Sequence, residues 1–191
     1  MLIPAADIGG QYNHMITRCL KELGVESGLV PLSITVEELI DMGADGFVMG
    51  GGPQRADKEV DKLGNLPNLM KNLKIPMLGM CVSHQLMAIV FGGKAGPAKL
   101  PEYGPIKIFI DVADEILKNI DKTFTTWEAH NDEVLILPKD FKILAHSEKC
   151  KIQAMRHLKL PIFGLQFHPE VDDTKNGRMI FKNFIEICKN G

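Results

Sequence analysis

The sequence predicts an α/β fold, with a mostly parallel central sheet, helices on both faces and an antiparallel extension. Three observations predict it. Strand and helix signals alternate through the first half of the chain, which builds parallel strands joined by crossover helices. Strand signals crowd the second half with little helix between them. Gly50-Gly51-Gly52, Cys81 and His168 each follow a strand signal, so all three can meet at the carboxyl edge of the sheet, where open α/β sheets bind ligands.

Leu2 to Ala6 is a short apolar strand, and Gly9-Gly10 turns the chain. Met15, Ile16, Cys19, Leu20 and Leu23 recur at helical spacing over Asn13 to Leu23, and Gly24 ends that helix. Val25 to Pro31 reads as a second strand. Ser33 or Thr35 can cap a helix over Val36 to Met42, with Glu37 and Glu38 in its favourable first turn. Gly46 to Met49 is a third strand and runs straight into Gly50-Gly51-Gly52-Pro53. Lys58 to Leu73 is a helical or loop segment, Ile75 to Leu78 a buried strand, and the helix after Cys81 runs to Gly92-Gly93.

Further on, strands are expected over Ile106 to Val112, Phe124 to Trp127, Glu133 to Leu137, Lys142 to His146, Gln153 to Arg156 and Ile162 to Phe167. Trp127 to Asp132 reads as a polar loop between two of them. A final helix covers about Lys175 to Lys189, with Met179, Ile180, Phe184, Ile187 and Cys188 on its apolar side.

The 191 residues are 45% hydrophobic and 24% charged, which fits one domain over 1–191 with a sizeable core. The net charge of −2, without a Lys/Arg tract, offers nothing for nucleic acid to bind. No apolar run approaches the roughly 18 residues that span a bilayer. Met1-Leu2-Ile3-Pro4 carries no basic leader, so no signal peptide is expected. Cys19, Cys81, Cys150 and Cys188 are scattered and form no metal-binding pair, which points to a reducing, cytoplasmic setting and no metal site.

The chemistry concentrates in two segments. Gly79-Met80-Cys81-Val82-Ser83 places a cysteine on a sharp strand-to-helix turn, with small residues two before and two after it. That pattern is a nucleophile elbow, and the helix it opens favours negative charge at the sulfur. Phe167-His168-Pro169-Glu170 supplies a histidine and a carboxylate two residues apart. Cys81, His168 and Glu170 can therefore act as nucleophile, base and orienter of the base. The glycine loop at 50–52 can offer backbone N–H groups to an oxyanion, with the N–H of Val82 as the second donor. A loop of three glycines is also expected to be loose until something docks on it. His84 lies about one turn past Cys81 and is expected to pack. Trp127 to Asp132 is either a surface turn or the lining of a pocket for a zwitterion.

These motifs resemble those of the class I glutamine amidotransferases, over essentially the whole chain. Gly79 to Gln85 is similar to the family's G-x-C-x-G-x-Q segment, Gly50 to Pro53 to its S-G-G-P loop, and Gln166 to Glu170 matches its Q-F-H-P-E segment without change. Within the family, the Asp7-Ile8-Gly9-Gly10-Gln11-Tyr12 opening, the Trp127 to Asp132 segment and Gln153 to His157 resemble the group of separate glutaminase subunits that serve GMP synthases. The chain departs from the pattern at Ser83 for glycine, Gly50 and Ala129 for serine, and Ile8 for asparagine.

The resemblance implies hydrolysis of L-glutamine through a Cys81 thioester, with Gly52 and Val82 N–H groups as the oxyanion hole. It implies that Gln85, His130, Asn131 and Asp132 hold the glutamine, and that this step needs no cofactor. It also implies a partner, an ATP-pyrophosphatase subunit that carries ATP, Mg and XMP, since the chain ends after its last helix. Other members of the family are alternatives, such as the glutaminases of anthranilate or aminodeoxychorismate synthesis, but the Asp7 to Tyr12 opening speaks against them. The remaining readings are a γ-glutamyl peptidase and a non-catalytic regulatory chain, and the complete Cys81, His168 and Glu170 set argues against the latter.

Overall fold

A computed structural model describes residues 1–190. Nine strands form one mixed sheet in the order β2-β1-β3-β4-β9-β8-β7-β5-β6. The strands β1 (Ala5–Ala6), β2 (Leu29–Val30), β3 (Phe47–Met49), β4 (Met77–Met80) and β9 (Ile162–Leu165) run parallel. The strands β5 (Lys94–Ile110), β6 (Thr123–Ile136), β7 (Phe141–His146) and β8 (Ala154–His157) continue the sheet in antiparallel fashion. The expected parallel core with an antiparallel extension is the observed architecture.

The helices divide between the two faces. On one face, α1 (Asn13–Glu22) and α5 (Gly177–Asn190) bury Ile16, Leu20, Phe181 and Phe184 against Val48, Leu78 and Phe163. On the other face, α2 (Val36–Asp41), α3 (Leu66–Asn72) and α4 (Val82–Val90) bury Leu39, Leu69, Leu86 and Met87 against Phe47, Met49 and Met77. Alternate residues of β3 therefore serve opposite cores, as the two-residue period of a strand requires. The cap of α2 is Thr35 rather than Ser33. Its hydroxyl accepts from Glu38 N–H at 3.1 Å while the Glu38 carboxylate accepts from Thr35 N–H at 2.8 Å.

Two expectations need correction. The strand expected over Ile106 to Val112 begins twelve residues earlier, at Lys94, and pairs with β6 around irregularities at Lys94/Ala95 and Pro97/Glu102. Trp127 to Asp132 is no loop: it lies within the continuous strand β6. Phe124, Thr126, Glu128 and His130 alternate inward along that strand and are buried. The segment reads as polar because two of its inward positions are a glutamate and a histidine, which find their partners inside the protein.

Strands β1, β3, β4 and β9 are neighbours, so the segments after their carboxyl ends converge. These are the Asp7–Tyr12 loop, the glycine loop, Cys81 with the start of α4, and Gln166–Glu170.

Candidate active site

Cys81 links β4 directly to α4 and has φ +52°, a conformation few side-chain-bearing residues adopt. The turn is held by Cys81 N–H donating to Leu165 O at 2.8 Å and Gln85 N–H donating to Cys81 O at 3.1 Å. Gly79 lets strand and helix close on each other: a Cβ there would lie 3.0 Å from Met87 Cε and 3.3 Å from the Ser83 backbone. Cys81 and the His168 ring lie side by side beneath Gly51, close enough for the sulfur to help raise the His168 pKa.

His168 and Glu170 form the other half of the site. His168 Nδ1 lies 2.7 Å from Glu170 Oε1, and both side chains are buried. Burial opposes a charged imidazole, but the Glu170 carboxylate and the Cys81 sulfur outweigh it, and the His168 pKa rises well above its ordinary 6.5. The segment is fastened to β6: His168 N–H donates to Trp127 O at 3.1 Å, and Thr174 Oγ1 donates to His168 O at 2.6 Å while accepting from Trp127 N–H at 2.8 Å. The Tyr12 ring meets His168 edge-on at 5.0 Å, and its hydroxyl accepts from Trp127 Nε1 at 3.1 Å.

The glycine loop passes directly over the pair. A Cβ on Gly51 would lie 2.8 Å from His168 Cε1 and 3.3 Å from Cys81 Cβ, so no side chain fits there. Among the described residues, no acceptor takes up the N–H of Gly52 or of Val82. The loop is also less free than its composition implies. Ser83 Oγ donates to Gly50 O at 2.7 Å. With its amide oriented to suit its neighbours, Asn13 donates to Gly51 O at 3.1 Å and accepts from Ile8 N–H at 3.0 Å and Gly10 N–H at 3.2 Å.

Cys81 is reached from two sides. A cleft of about 380 Å³ carries Arg55, Gln85, His130, Asn131 and Asp132 on its walls. A second, of about 330 Å³, is lined by Gly9 to Asn13 and reaches His168. The residues expected to hold a substrate thus share one wall, but they present different groups. Asp132 Oδ2 faces Arg55 Nε at 3.2 Å, and Arg55 also forks onto Asp57 at 2.9 and 3.1 Å. Gln85 Nε2 donates to Asp132 O at 2.7 Å and to Gln166 Oε1 at 3.2 Å. His130 turns inward: its Nδ1 meets Asp132 O at 3.0 Å, and its Nε2 lies 3.3 Å from Glu102 and 3.4 Å from Glu128. Burial alone would lower its pKa, but the two carboxylates carry it to about 10, so it is an imidazolium. Burial in turn raises the Glu128 carboxyl.

Glu102, Glu128 and His130 are also the group among the described residues whose ligand atoms could surround a metal ion. Protein donors already serve both carboxylates: Ser147 Oγ and Gln153 Nε2 reach Glu102 at 2.7 and 2.6 Å, and Thr126 Oγ1 reaches Glu128 at 3.0 Å. The cluster thus forms a buried ion network in which Glu128 Oε2 has the His130 ring at 3.4 Å and no hydrogen-bond donor of its own. His84 packs, as expected, with Nε2 on Ile152 O at 3.1 Å and a pKa lowered to about 3 by burial. Burial also raises the thiols of Cys19 and Cys150, and that of Cys188 to about 12.

Asn13, Arg55, Glu102 and Thr174 join the site without a signal in the sequence. Their side chains are ordinary polar types, and only the fold brings Asn13 and Arg55 to the clefts at Cys81, Glu102 to His130 and Thr174 to His168.

The profile of the family described as glutamine amidotransferase class-I matches residues 5–188. The chain belongs to the class I glutamine amidotransferases. This amidotransferase is 48% identical over 180 residues to the glutamine-hydrolyzing GMP synthase subunit of Archaeoglobus fulgidus, covering 94% of each chain. It is 46% identical over 189 residues to the protein of the same name in Sulfolobus acidocaldarius, covering 99% of this chain and 100% of the relative. Among solved structures, a crystal structure of a GMP synthase subunit from Thermoplasma acidophilum superposes with a TM-score of 0.93 at 42% identity, covering 100% of this chain and 94% of that one. A glutamine amidotransferase of Thermotoga maritima shares the fold, with a TM-score of 0.78 at 21% identity over 100% of this chain and 83% of that one. No helix among the described residues is long and apolar enough to cross a membrane.

Proposed function

We propose that this amidotransferase is the glutaminase subunit of a two-subunit GMP synthase. It hydrolyses L-glutamine and passes the ammonia to a separate ATP-pyrophosphatase subunit, which binds ATP, Mg and XMP and forms GMP. The observation that carries the chemistry is Cys81, raised on a positive-φ turn against a buried His168–Glu170 pair. The acceptor rests on the names of relatives that match nearly the whole chain. One amidotransferase unit over 1–191 in a cytoplasmic setting fits both.

Glutamine enters the cleft that carries Gln85, Arg55 and Asp132. Asp132 takes its ammonium, Asn131 and Gln85 border it, and His130 acts on it through the Asp132 backbone. Cys81 Sγ attacks the side-chain amide carbon. The N–H groups of Gly52 and Val82 hold the oxyanion, each contributing about 3 kcal/mol toward the transition state. His168 protonates the departing nitrogen, ammonia leaves, and a γ-glutamyl thioester remains. His168 then takes a proton from water, which attacks the thioester, and glutamate and the thiol are released. Glu170 holds the imidazole tautomer throughout. No step in this sequence calls for a cofactor.

The test is glutamate release by the wild type and Cys81→Ala, alone and with a candidate ATP-pyrophosphatase subunit plus ATP, Mg and XMP. Release that needs Cys81 and rises with the loaded partner, together with GMP formed from glutamine, is the expected result. Equal release without the partner would make the chain a stand-alone glutaminase. No release in either condition would make it a regulatory chain or the subunit of another acceptor enzyme.

A further inference from the structure

We infer that Asn13 and Ser83 are positioning residues that set the direction of the oxyanion-hole N–H groups. The inference rests on the acyl-transfer reading above. In a trans peptide, the C=O and N–H of one unit point in opposite directions in a single plane. The Gly52 N–H and the Gly51 C=O belong to one such unit. Whatever holds the Gly51 oxygen therefore aims the Gly52 N–H. That holder is Asn13, whose Nδ2 lies 3.1 Å from Gly51 O.

Asn13 cannot turn away without loss. It is buried, and its amide oxygen accepts from Ile8 and Gly10 N–H at 3.0 and 3.2 Å. A rotated amide would leave the buried Ile8 N–H, the half-buried Gly10 N–H and the Gly51 carbonyl without this partner. Ser83 acts one peptide earlier. Its hydroxyl, fully buried, donates to Gly50 O at 2.7 Å. Ser83 also follows Val82 in the first turn of α4, so this one bond ties the loop to the element that carries the second donor.

The loop is packed as though built for this clamp. A Cβ on Gly50 would strike the Asn13 amide and come within 2.8 Å of Ile16 Cδ1. A Cβ on Gly52 would strike Gln54 and come within 2.5 Å of Ile8 Cγ2. The loop thus has no side chains of its own with which to fix its peptides, and glycine backbones are otherwise the most mobile. The two hydrogen bonds from outside supply the preorganisation that an oxyanion hole requires.

The experiment compares wild type, Ser83→Ala and Asn13→Asp in the complex with the loaded synthetase subunit. Ser83→Ala removes one oxygen; Asn13→Asp keeps the two acceptances and removes the donor to Gly51. Glutamate release is measured alongside the affinity for L-glutamate γ-semialdehyde. That probe forms a hemithioacetal whose oxygen must sit in the hole. Alkylation by iodoacetamide serves as control, because that displacement forms no oxyanion. A fall in kcat of about tenfold for Ser83→Ala and about a hundredfold for Asn13→Asp is expected. Semialdehyde affinity should fall by the same factors, while KM and the iodoacetamide rate stay within about twofold. Unchanged kcat and semialdehyde affinity in both variants would overturn the clamp, even if Tm drops. So would a matching loss of iodoacetamide reactivity, which marks general disruption of the site. A wild type that neither releases glutamate nor binds the semialdehyde overturns the glutaminase reading itself, whereas variants that match an active wild type overturn the clamp alone.

Discussion

His168 Nδ1 sits 2.7 Å from Glu170 Oε1, with only Pro169 between them in the chain. The proline fixes its own φ, and the ties from His168 to Trp127 and Thr174 hold the other end. The buried Glu170 carboxylate is a main reason the imidazole keeps its proton well above the ordinary range.

Glu170→Gln removes that charge and leaves the geometry nearly isosteric. The His168 pKa then falls toward 6.5, so the acid proposed to protonate the leaving nitrogen is lost at lower pH. The alkaline limb of the kcat profile should move down, and kcat at neutral pH should fall by about 10²-fold. A pH–rate profile of the complex checks this; an unmoved alkaline limb would detach Glu170 from the imidazole's titration.

Asp132 offers its carboxylate to the cleft while pairing with Arg55 at 3.2 Å. If it takes the ammonium of glutamine, Asp132→Asn loses a charge-assisted hydrogen bond of about 1.5–3 kcal/mol. KM for glutamine should then rise by about tenfold to a hundredfold, with kcat within about threefold. Initial-rate kinetics decide it, and a lower kcat at constant KM would place Asp132 in the chemical step instead.

His130 stabilises the fold in a pH-dependent way. Its folded pKa is near 10 against about 6.5 unfolded, because Glu102 and Glu128 overcome the cost of burial. A raised pKa gives stability that is fully present below pH 6.5 and is lost as pH rises toward 10. The Tm of the wild type should therefore fall over that window relative to His130→Gln. A relative change of at least about 4 °C is expected, since 1 kcal/mol moves the Tm of a chain this size by about 2–4 °C. Thermal unfolding of both proteins from pH 6 to 10 checks it; parallel curves would mean that the imidazolium is not held by the two carboxylates.

The Cys81 elbow and the His168–Glu170 step were legible because each is local. Small residues flank Cys81, apolar runs announce the strand and helix around it, and Pro169 holds His168 and Glu170 two positions apart. The alternation of strands and helices also told which segments would end at the same edge of the sheet, because parallel strands send all their carboxyl ends one way. Strand β6 was not legible across Trp127 to Asp132. Its two-residue alternation is intact, but Glu128 and His130 occupy inward positions where an apolar residue would have announced it. The glycine loop read as loose for a similar reason: its composition is local, whereas its two restraints come from positions 13 and 83.

The sequence by itself therefore determined the fold class, the strand-to-helix turn at Cys81 and the short step from His168 to Glu170, since turn chemistry and hydrophobic periodicity act over a few residues. Only the tertiary structure decided that Glu102 and Glu128 charge His130, that Arg55 faces Asp132, and that Asn13 and Ser83 hold the glycine loop. Each of these pairings depends on the folded backbone, and a buried polar group takes whichever partner that backbone brings within about 3 Å.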